Sequence, residues 1–325
     1  MPTIEEEKLA FPFFNCSQSM TNNRTKIAGR TIIVSNLGKV LYPDTGFTKG
    51  QVIDYYMRIS EALLPHLRNR ALTLKRYPEG VDQDYFYEKQ CPSFRPRWMQ
   101  VARIWSKHRQ RTIAFCLVND LPSLVWVANL ANIELHTSLA QRQKTERPTA
   151  MVFDLDPGPG TNVIDSAQVA LGLRALLAKL KLESFPKTSG SKGLQVYVPL
   201  NTSVTFDETK TFARSLASIL AGSHPDKVLT QMSKRLRKGK VFIDWSQNDH
   251  HKTTVSVYSL RAKAHPSVST PMTWREVEKG FASGKAEEFT FGPKEALDRV
   301  RKRGDLFEPV LKLRQKLPKD LSRAS

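Results

Sequence analysis

Residues 151–158, M-V-F-D-L-D-P-G, constrain the fold of this chain more than any other stretch. Three apolar residues run into Asp154 and Asp156, and Pro157 with Gly158 stops the run, which predicts a short buried strand ending at a site. Alternate strand residues share a face, so both carboxylates project to one side, roughly 6.5–7 Å apart along the backbone. Carboxylates held that close are costly unless a cation neutralises them, and oxygen donors suit magnesium or manganese. Phosphoryl or nucleotidyl transfer is the chemistry such a strand end serves. Asp, Pro and Gly also gather wherever a strand simply turns into a loop, so the remaining chain must decide between the two.

The residues downstream favour the site. K-V-F-I-D-W-S brings Val241, Phe242 and Ile243 into Asp244, so a second strand ends in a carboxylate. Three acids on neighbouring strands complete a two-metal site, with the ions about 3.5–4 Å apart. Lys234, Arg235, Arg237, Lys238 and Lys240 crowd its approach. Between the acidic strands, E-S-F-P-K-T, S-G-S-K-G and L-Q-V-Y-V-P-L predict a strand, a tight basic turn and a strand. In that turn Ser189, Gly190, Lys192 and Gly193 are suited to wrap a triphosphate, the glycines through close backbone approach and the lysine through charge. The alternating run T-T-V-S-V-Y-S-L-R-A predicts a strand delivering Arg261.

Fifty Lys and Arg against 31 Asp and Glu leave a net charge of +19. A field of that size recruits polyanions such as nucleic acid. No apolar run approaches the roughly 20 residues of a membrane helix, and M-P-T-I-E-E-E-K lacks the regions of a signal peptide. A cytoplasmic, nucleoid-associated protein with no membrane partner is expected. Cys16, Cys91 and Cys116 are far apart and odd in number, so neither a disulfide framework nor a zinc site is expected of them.

Residues 1–28 read as a polar tail. In the following half, residues 29–148, Val52, Ile53, Tyr56, Ile59 and Leu63 fall at helical spacing behind a capping box of Thr48 and Gln51. Lys39 and Lys49 flank that helix start, where free backbone N–H groups would make a phosphate pocket, unless both are simply solvated. Lys75, Arg76, Phe86 and Tyr87 interleave charge with aromatic rings, a mixture suited to single-stranded nucleic acid, although one ring of the pair could instead fill the core. L-V-W-V-A-N-L-A-N-I-E-L-H predicts an apolar helix ending at His136. The polar break at residues 141–148 marks a lobe boundary. Helices are predicted over residues 162–182, 207–220 and 226–237, and residues 266–325 form a helical cover with its best helices at 274–281 and 293–301.

With D-L-D-P-G, K-T-S-G-S-K-G, K-V-F-I-D-W-S-Q-N and V-Y-S-L-R-A in this order, the chain resembles the polymerase domain of bacterial DNA ligase D, within the archaeo-eukaryotic primase superfamily. The likeness runs from about residue 30 to 315 and includes K-V-L-Y-P, T-G-F-T-K-G and L-T-L-K-R-Y-P. It implies that Asp154, Asp156 and Asp244 carry two Mn2+ or Mg2+ ions. It also implies that Ser189, Lys192, Arg237, Gln247 and Arg261 hold the incoming nucleotide, with His136 near its ribose. Lys39 and Lys49 match family lysines that grip a 5′-phosphate across a gap, and Lys75, Phe86 and Tyr87 match positions contacting the DNA end and template. Gln195 stands where primases of this superfamily usually carry histidine; glutamine hydrogen-bonds a phosphate but is never cationic. No K-x-D-G nucleotidylation motif is present, so sealing is expected of a separate ligase, and the zinc-binding cysteines of replicative primases are also missing.

The expected fold is α+β: an RRM-like antiparallel catalytic lobe, residues 149–265, with strands at 151–156, 194–199, 241–245 and 253–260, packed on a mixed α/β N-terminal lobe, the whole of 29–325 forming one compact unit. A parallel doubly wound sheet is the alternative. The expected function is template-directed addition of NTPs or dNTPs at DNA ends and gaps in end joining, alongside an end-binding protein. A metal-dependent nuclease and a non-catalytic DNA-end-binding module are the rivals.

Overall fold

The computed structural model describes residues 23–106 and 109–318; most of the expected polar tail, with Cys16, and residues 319–325 of the expected cover lie outside them. At its centre the strand Ala150–Pro157 is flanked on both sides by antiparallel partners, Leu194–Pro199 and Val241–Asp244. Phe185–Thr188 extends the sheet beyond the first and Val228–Leu229 beyond the second, the latter pair being parallel. Strand periodicity divides the central strand cleanly. Met151, Phe153 and Leu155 enter one apolar core with Leu173, Leu177, Phe212 and Leu216 from the helices Val163–Lys179 and Phe206–Ser223. Val152, Asp154 and Asp156 take the opposite face. An antiparallel sheet with two helices on one side and the carboxylates on the other is the expected architecture, and the parallel alternative is excluded.

The second large sheet runs Thr254–Val255, Asn132–Gln141, Arg70–Arg76, Arg111–Cys116, Val101–Ser106, with Phe86–Glu88 also paired to Arg70–Arg76. Four expectations need correction here. First, residues 253–260 do not add a fourth strand to the catalytic sheet: Thr254 and Val255 pair with Thr137 and His136 of the other sheet. The run then breaks at Tyr258, whose φ of 61° is incompatible with a strand. Second, the apolar helix stops at Asn129, because Ala131 adopts a left-handed conformation (φ 55°), and N-I-E-L-H becomes a strand carrying His136. Third, residues 226–237 form only the edge strand Val228–Leu229 and a short 3-10 turn, Lys234–Leu236. Burial of Val228 and Leu229 beside Val241 outweighs a helix whose successive turns would stack like charges. Fourth, Cys91 and Cys116 are joined by a disulfide across 25 residues, with Cα atoms 4.9 Å apart. Cys91 N donates to Ala114 O at 2.6 Å and Ala114 N to Gln90 Oε1 at 3.0 Å, so the loop lies along the strand and sets the sulfurs side by side.

The N-terminal helical layer, Lys49–Arg58 and Ser60–Leu67, packs under the second sheet. Residues from late in the chain complete its core: Val257, Tyr258, Leu260 and Val268 are buried with Tyr55, Tyr56 and Leu135. The helices Trp274–Ser283 and Pro293–Arg303 lie where the sequence pattern puts them. Among the described residues no helix is long and apolar enough to cross a membrane.

Candidate active site

Four strands present one row of side chains. Lys187 pairs with Gln195, Gln195 with Asp154, and Asp154 with Asp244, all as direct cross-strand partners and therefore on the same face. Asp156 follows two residues later, opposite Phe242. Backbone contact too close for a side chain shapes the strand end: a Cβ on Gly158 would lie 1.9 Å from Arg237 O, and one on Gly193 1.9 Å from Leu155 O. The 157–160 turn is thereby pressed onto residues 237–240, with Gly158 N donating to Lys240 O at 2.9 Å and Gly239 N to Pro159 O at 2.8 Å. This contact sets the Arg237 guanidinium 4.0 Å from Asp156 and over the Phe242 ring.

The row opens into a cleft of ≈ 360 Å3. Asp154, Asp156, Gln195 and Arg237 line it, together with Ser189, Lys192, Gln247, Arg261, His136 and Tyr87 among others. Asp244 sits just beneath, nearly buried, accepting from Ser246 N (3.0 Å), Ser246 Oγ (2.5 Å) and Gln247 Nε2 (2.9 Å), with Lys252 Nζ at 3.7 Å. Burial first and the Asp156 charge second raise the Asp154 carboxyl to about 7. Asp156 is raised as well, by burial and then by Asp244. Asp154 and Asp156, two carboxyls that resist ionising together with Asp244 beside them, are a pre-built site for a cation.

The basic turn is folded tightly on itself. Ser189 Oγ accepts from Ser191 N and Gly193 N at 3.2 Å each, and Gly190 adopts a left-handed conformation against Ser269 and Arg261. The Arg261 guanidinium donates to Ser189 O and lies 3.3 Å from Glu134 Oε2.

Two residues that hold this site together were missed in the sequence. Glu134 is almost fully buried and gathers Lys75 Nζ (3.2 Å), His136 Nε2 (2.8 Å) and Arg261. Although burial opposes its charge, the His136 hydrogen bond and the cations around it hold the carboxyl well below the usual range. Burial lowers the His136 pKa, so the imidazole faces the cleft neutral. Lys187 is fully buried, donates to Ser269 Oγ at 2.6 Å, and is pushed far below an ordinary lysine by burial while Asp154 pulls it back. The available signals were a lone acid inside an apolar run and a lysine opening K-T-S-G-S-K-G.

The DNA-facing candidates are more scattered. Lys75 Nζ sits among the rings of Tyr77, Tyr85 and Tyr87 at 4.6–5.6 Å, and Tyr87 meets His136 edge-on at 6.0 Å. Phe86 is 57% exposed, away from the cleft lining, so neither adjacent ring fills the core. Arg76 is already engaged, by Glu88 at 3.0 Å and Leu130 O at 3.1 Å. Lys39 and Lys49 do flank the capped helix start, but the expected free N–H groups are taken. Lys49 N donates to Lys39 O, Gly50 N to Leu37 O, and Gln51 N to Thr48 Oγ1. Lys49 itself is buried with Nζ on Ser35 O at 2.7 Å, whereas Lys39 pairs with Glu79 at 2.6 Å.

The family model of the LigD primase-polymerase domain matches residues 48–307. The chain is 40% identical over 279 residues to the multifunctional non-homologous end joining protein LigD of Mycolicibacterium smegmatis, covering 85% of this chain and 36% of that protein. Against the bifunctional non-homologous end joining protein LigD of Bacillus subtilis, identity is 29% over 293 residues, covering 90% and 46%. The chain thus spans less than half the length of these curated relatives. The solved polymerase domain from Mycobacterium tuberculosis ligase D in complex with DNA matches with a TM-score of 0.79 at 37% identity, covering 88% of this chain and 99% of that one. With the register of Asp154 and Asp244, these matches establish that the chain belongs to the LigD primase-polymerase domain family of nucleotidyltransferases.

Proposed function

We propose that this chain extends a primer 3′ end across a DNA end or gap in template order, using NTPs or dNTPs, as the polymerising step of end joining at the nucleoid. The observation that carries the reading is the cross-strand pairing of Asp154 with Asp244 beneath a cleft whose rim is cationic. The donor set, three clustered carboxylates of which Asp154 is pushed up by burial and then by the Asp156 charge, fits hard divalent ions. Asp154, Asp156 and Asp244 would hold a pair of Mn2+ or Mg2+ ions, which when bound supply charge neutralisation and activation of the 3′-hydroxyl.

The chain's own residues supply the rest. Lys192 and Arg237 bring positive charge to the triphosphate, and Ser189, Gln247 and the backbone of the Gly190 turn offer hydrogen-bond groups. Arg261, anchored by Glu134, fixes that turn; neutral His136, whose single N–H is given to Glu134 through Nε2, can accept from a ribose hydroxyl through Nδ1, which admits ribonucleotides. Gln195, the cross-strand partner of Asp154, lines the same cleft with its amide donating to Thr254 Oγ1 at 3.2 Å, and serves the nucleotide as a neutral hydrogen-bonding group. Tyr87, Phe86 and Lys75 offer ring faces and charge to the template, and Lys39 with Lys49 serves a recessed 5′-phosphate through ammonium groups alone. A separate ligase and an end-binding protein would act with it.

Incubation with a primed template, Mn2+ and NTPs tests the reading. Primer extension supports it, shortening indicates a nuclease, and an unchanged primer indicates a binding module. Asp154→Ala with Asp156→Ala should abolish extension while DNA affinity is kept; retained extension removes these acids from the mechanism.

A further inference from the structure

The turn that follows Asp244 and Gln247 carries donors that polymerisation does not use. Asp249, His250 and His251 each offer a ligand atom, and these atoms lie within 4.8 Å of one another. Consecutive side chains in extended backbone point apart. Here Lys252 N donates to Asp249 O and His251 N to Asp249 Oδ1, both at 3.0 Å, and the closed turn brings the two rings to a centroid distance of 3.7 Å. Lys89 Nζ braces the turn from outside by donating to His251 O at 3.1 Å. Asp249 Oδ2 receives Lys210 Nζ at 2.6 Å, so an ammonium stands where a metal ion would. That lysine reaches in from the helix Phe206–Ser223 with a third of its side chain exposed (35%), and is free to swing away.

Two imidazoles and one carboxylate form a donor set for a borderline ion, zinc before manganese or magnesium, which favour oxygen. His250 and His251 also line a second cleft of ≈ 330 Å3 beside Trp105 and Phe115, so further coordination positions open to solvent or to a ligand atom. We propose that Asp249, His250 and His251 form a binding site for a zinc-like divalent cation, distinct from the carboxylates Asp154, Asp156 and Asp244. The cysteine pattern that speaks against zinc is silent on imidazole ligands. The site does not depend on the polymerase reading. Its occupancy ties together the turn leading to Lys252, whose Nζ lies 3.7 Å from Asp244, and stabilises the folded state by mass action.

Zinc alone is the probe, titrated into the metal-free full chain by calorimetry, with cobalt absorption as a second signal. The proposal expects one zinc per chain that excess manganese does not displace, retained when Asp154 and Asp156 are both changed to Ala. His250→Ala with His251→Ala should weaken it by more than about tenfold. Lys210→Ala, which removes the competing ammonium, should tighten it. Zinc binding that survives the double histidine change, disappears with the double aspartate change, or weakens in Lys210→Ala overturns the proposal. Absence of zinc binding in wild type with native circular dichroism does the same.

Discussion

Lys39 and Lys49 stand side by side, yet an anion would gain different things from them. Lys39 is spent on an exposed pair with Glu79, the kind of contact that contributes little. Lys49 is buried on Ser35, and burial, followed by the Lys39 charge, brings it down to about 8. A depressed lysine is cationic only below that value. Below about pH 8, a gap carrying a 5′-phosphate should therefore bind on the order of tenfold more tightly than one ending in a hydroxyl. As pH rises through about 8 the preference should fade, well before an ordinary lysine loses its proton near 10.4. Anisotropy titrations of both gaps at fixed salt, near pH 7 and near pH 9.5, with wild type and Lys49→Ala, check this. A preference independent of pH, or one kept by Lys49→Ala, would move the phosphate pocket elsewhere. Legibility at this scale followed charge: Asp154, Asp156 and Asp244 stood out because acids ending apolar runs are expensive. Glu134 and Lys187 did not, because their purpose lies in partners more than 50 residues away: Arg261 for Glu134 and Ser269 for Lys187.

The strand ends around the cleft depend on glycines that leave no room. Gly193→Ala must push a methyl into Leu155 O, separating the two strands that align Gln195 with Asp154. A loss of about 1–3 kcal/mol and of primer extension is expected, read from urea midpoints and the extension assay. The same change at Gly222, late in an open helix with nothing within 4 Å, should stabilise by roughly 0.5–1 kcal/mol. If both changes act alike, the packing argument fails. The helix Trp274–Ser283 begins with a capping box in which Glu276 also receives Arg299 and Arg303. Against the opposing effect of burial, the Arg299 and Thr273 hydrogen bonds bring its carboxyl down to about 2. Depressed below the unfolded value, it contributes stability above about pH 4.5 that is lost as pH falls toward 2. Glu276→Gln should cost about 1–2 kcal/mol near neutrality, discounted for partial exposure, with the gap to wild type narrowing below about pH 4.5 and closing only as pH falls through about 2. Helices with caps and apolar stripes were legible from their sequence. The start of the strand Asn132–Gln141 reads as helix, and Thr254–Val255 as a strand of the catalytic sheet, because apolar runs carry no record of which sheet will accept them.

Across the whole molecule, the early sheet and its helices are completed by residues from late in the chain. Tyr55 OH donates to Tyr258 O, Leu260 N to Tyr56 OH, Ser256 N to Leu135 O, and Leu135 N to Ser259 Oγ. Residues 23–148 expressed alone should therefore fail to fold, giving little dispersion in amide proton spectra, whereas residues 23–318 should fold as one cooperative unit. A well-dispersed spectrum from the shorter fragment would contradict this. The field of +19 acts at this scale too, drawing DNA to the molecule before any particular contact forms. The late strand that closes the early sheet also bears on how the protein is made. At about 5–20 residues per second, the ribosome delivers the Thr254–Val255 edge on the order of ten seconds after its partner Asn132–Gln141. During that interval a nascent chain holds an unfinished sheet with an open edge and several tyrosines still wet, so synthesis itself is when this protein most needs a chaperone.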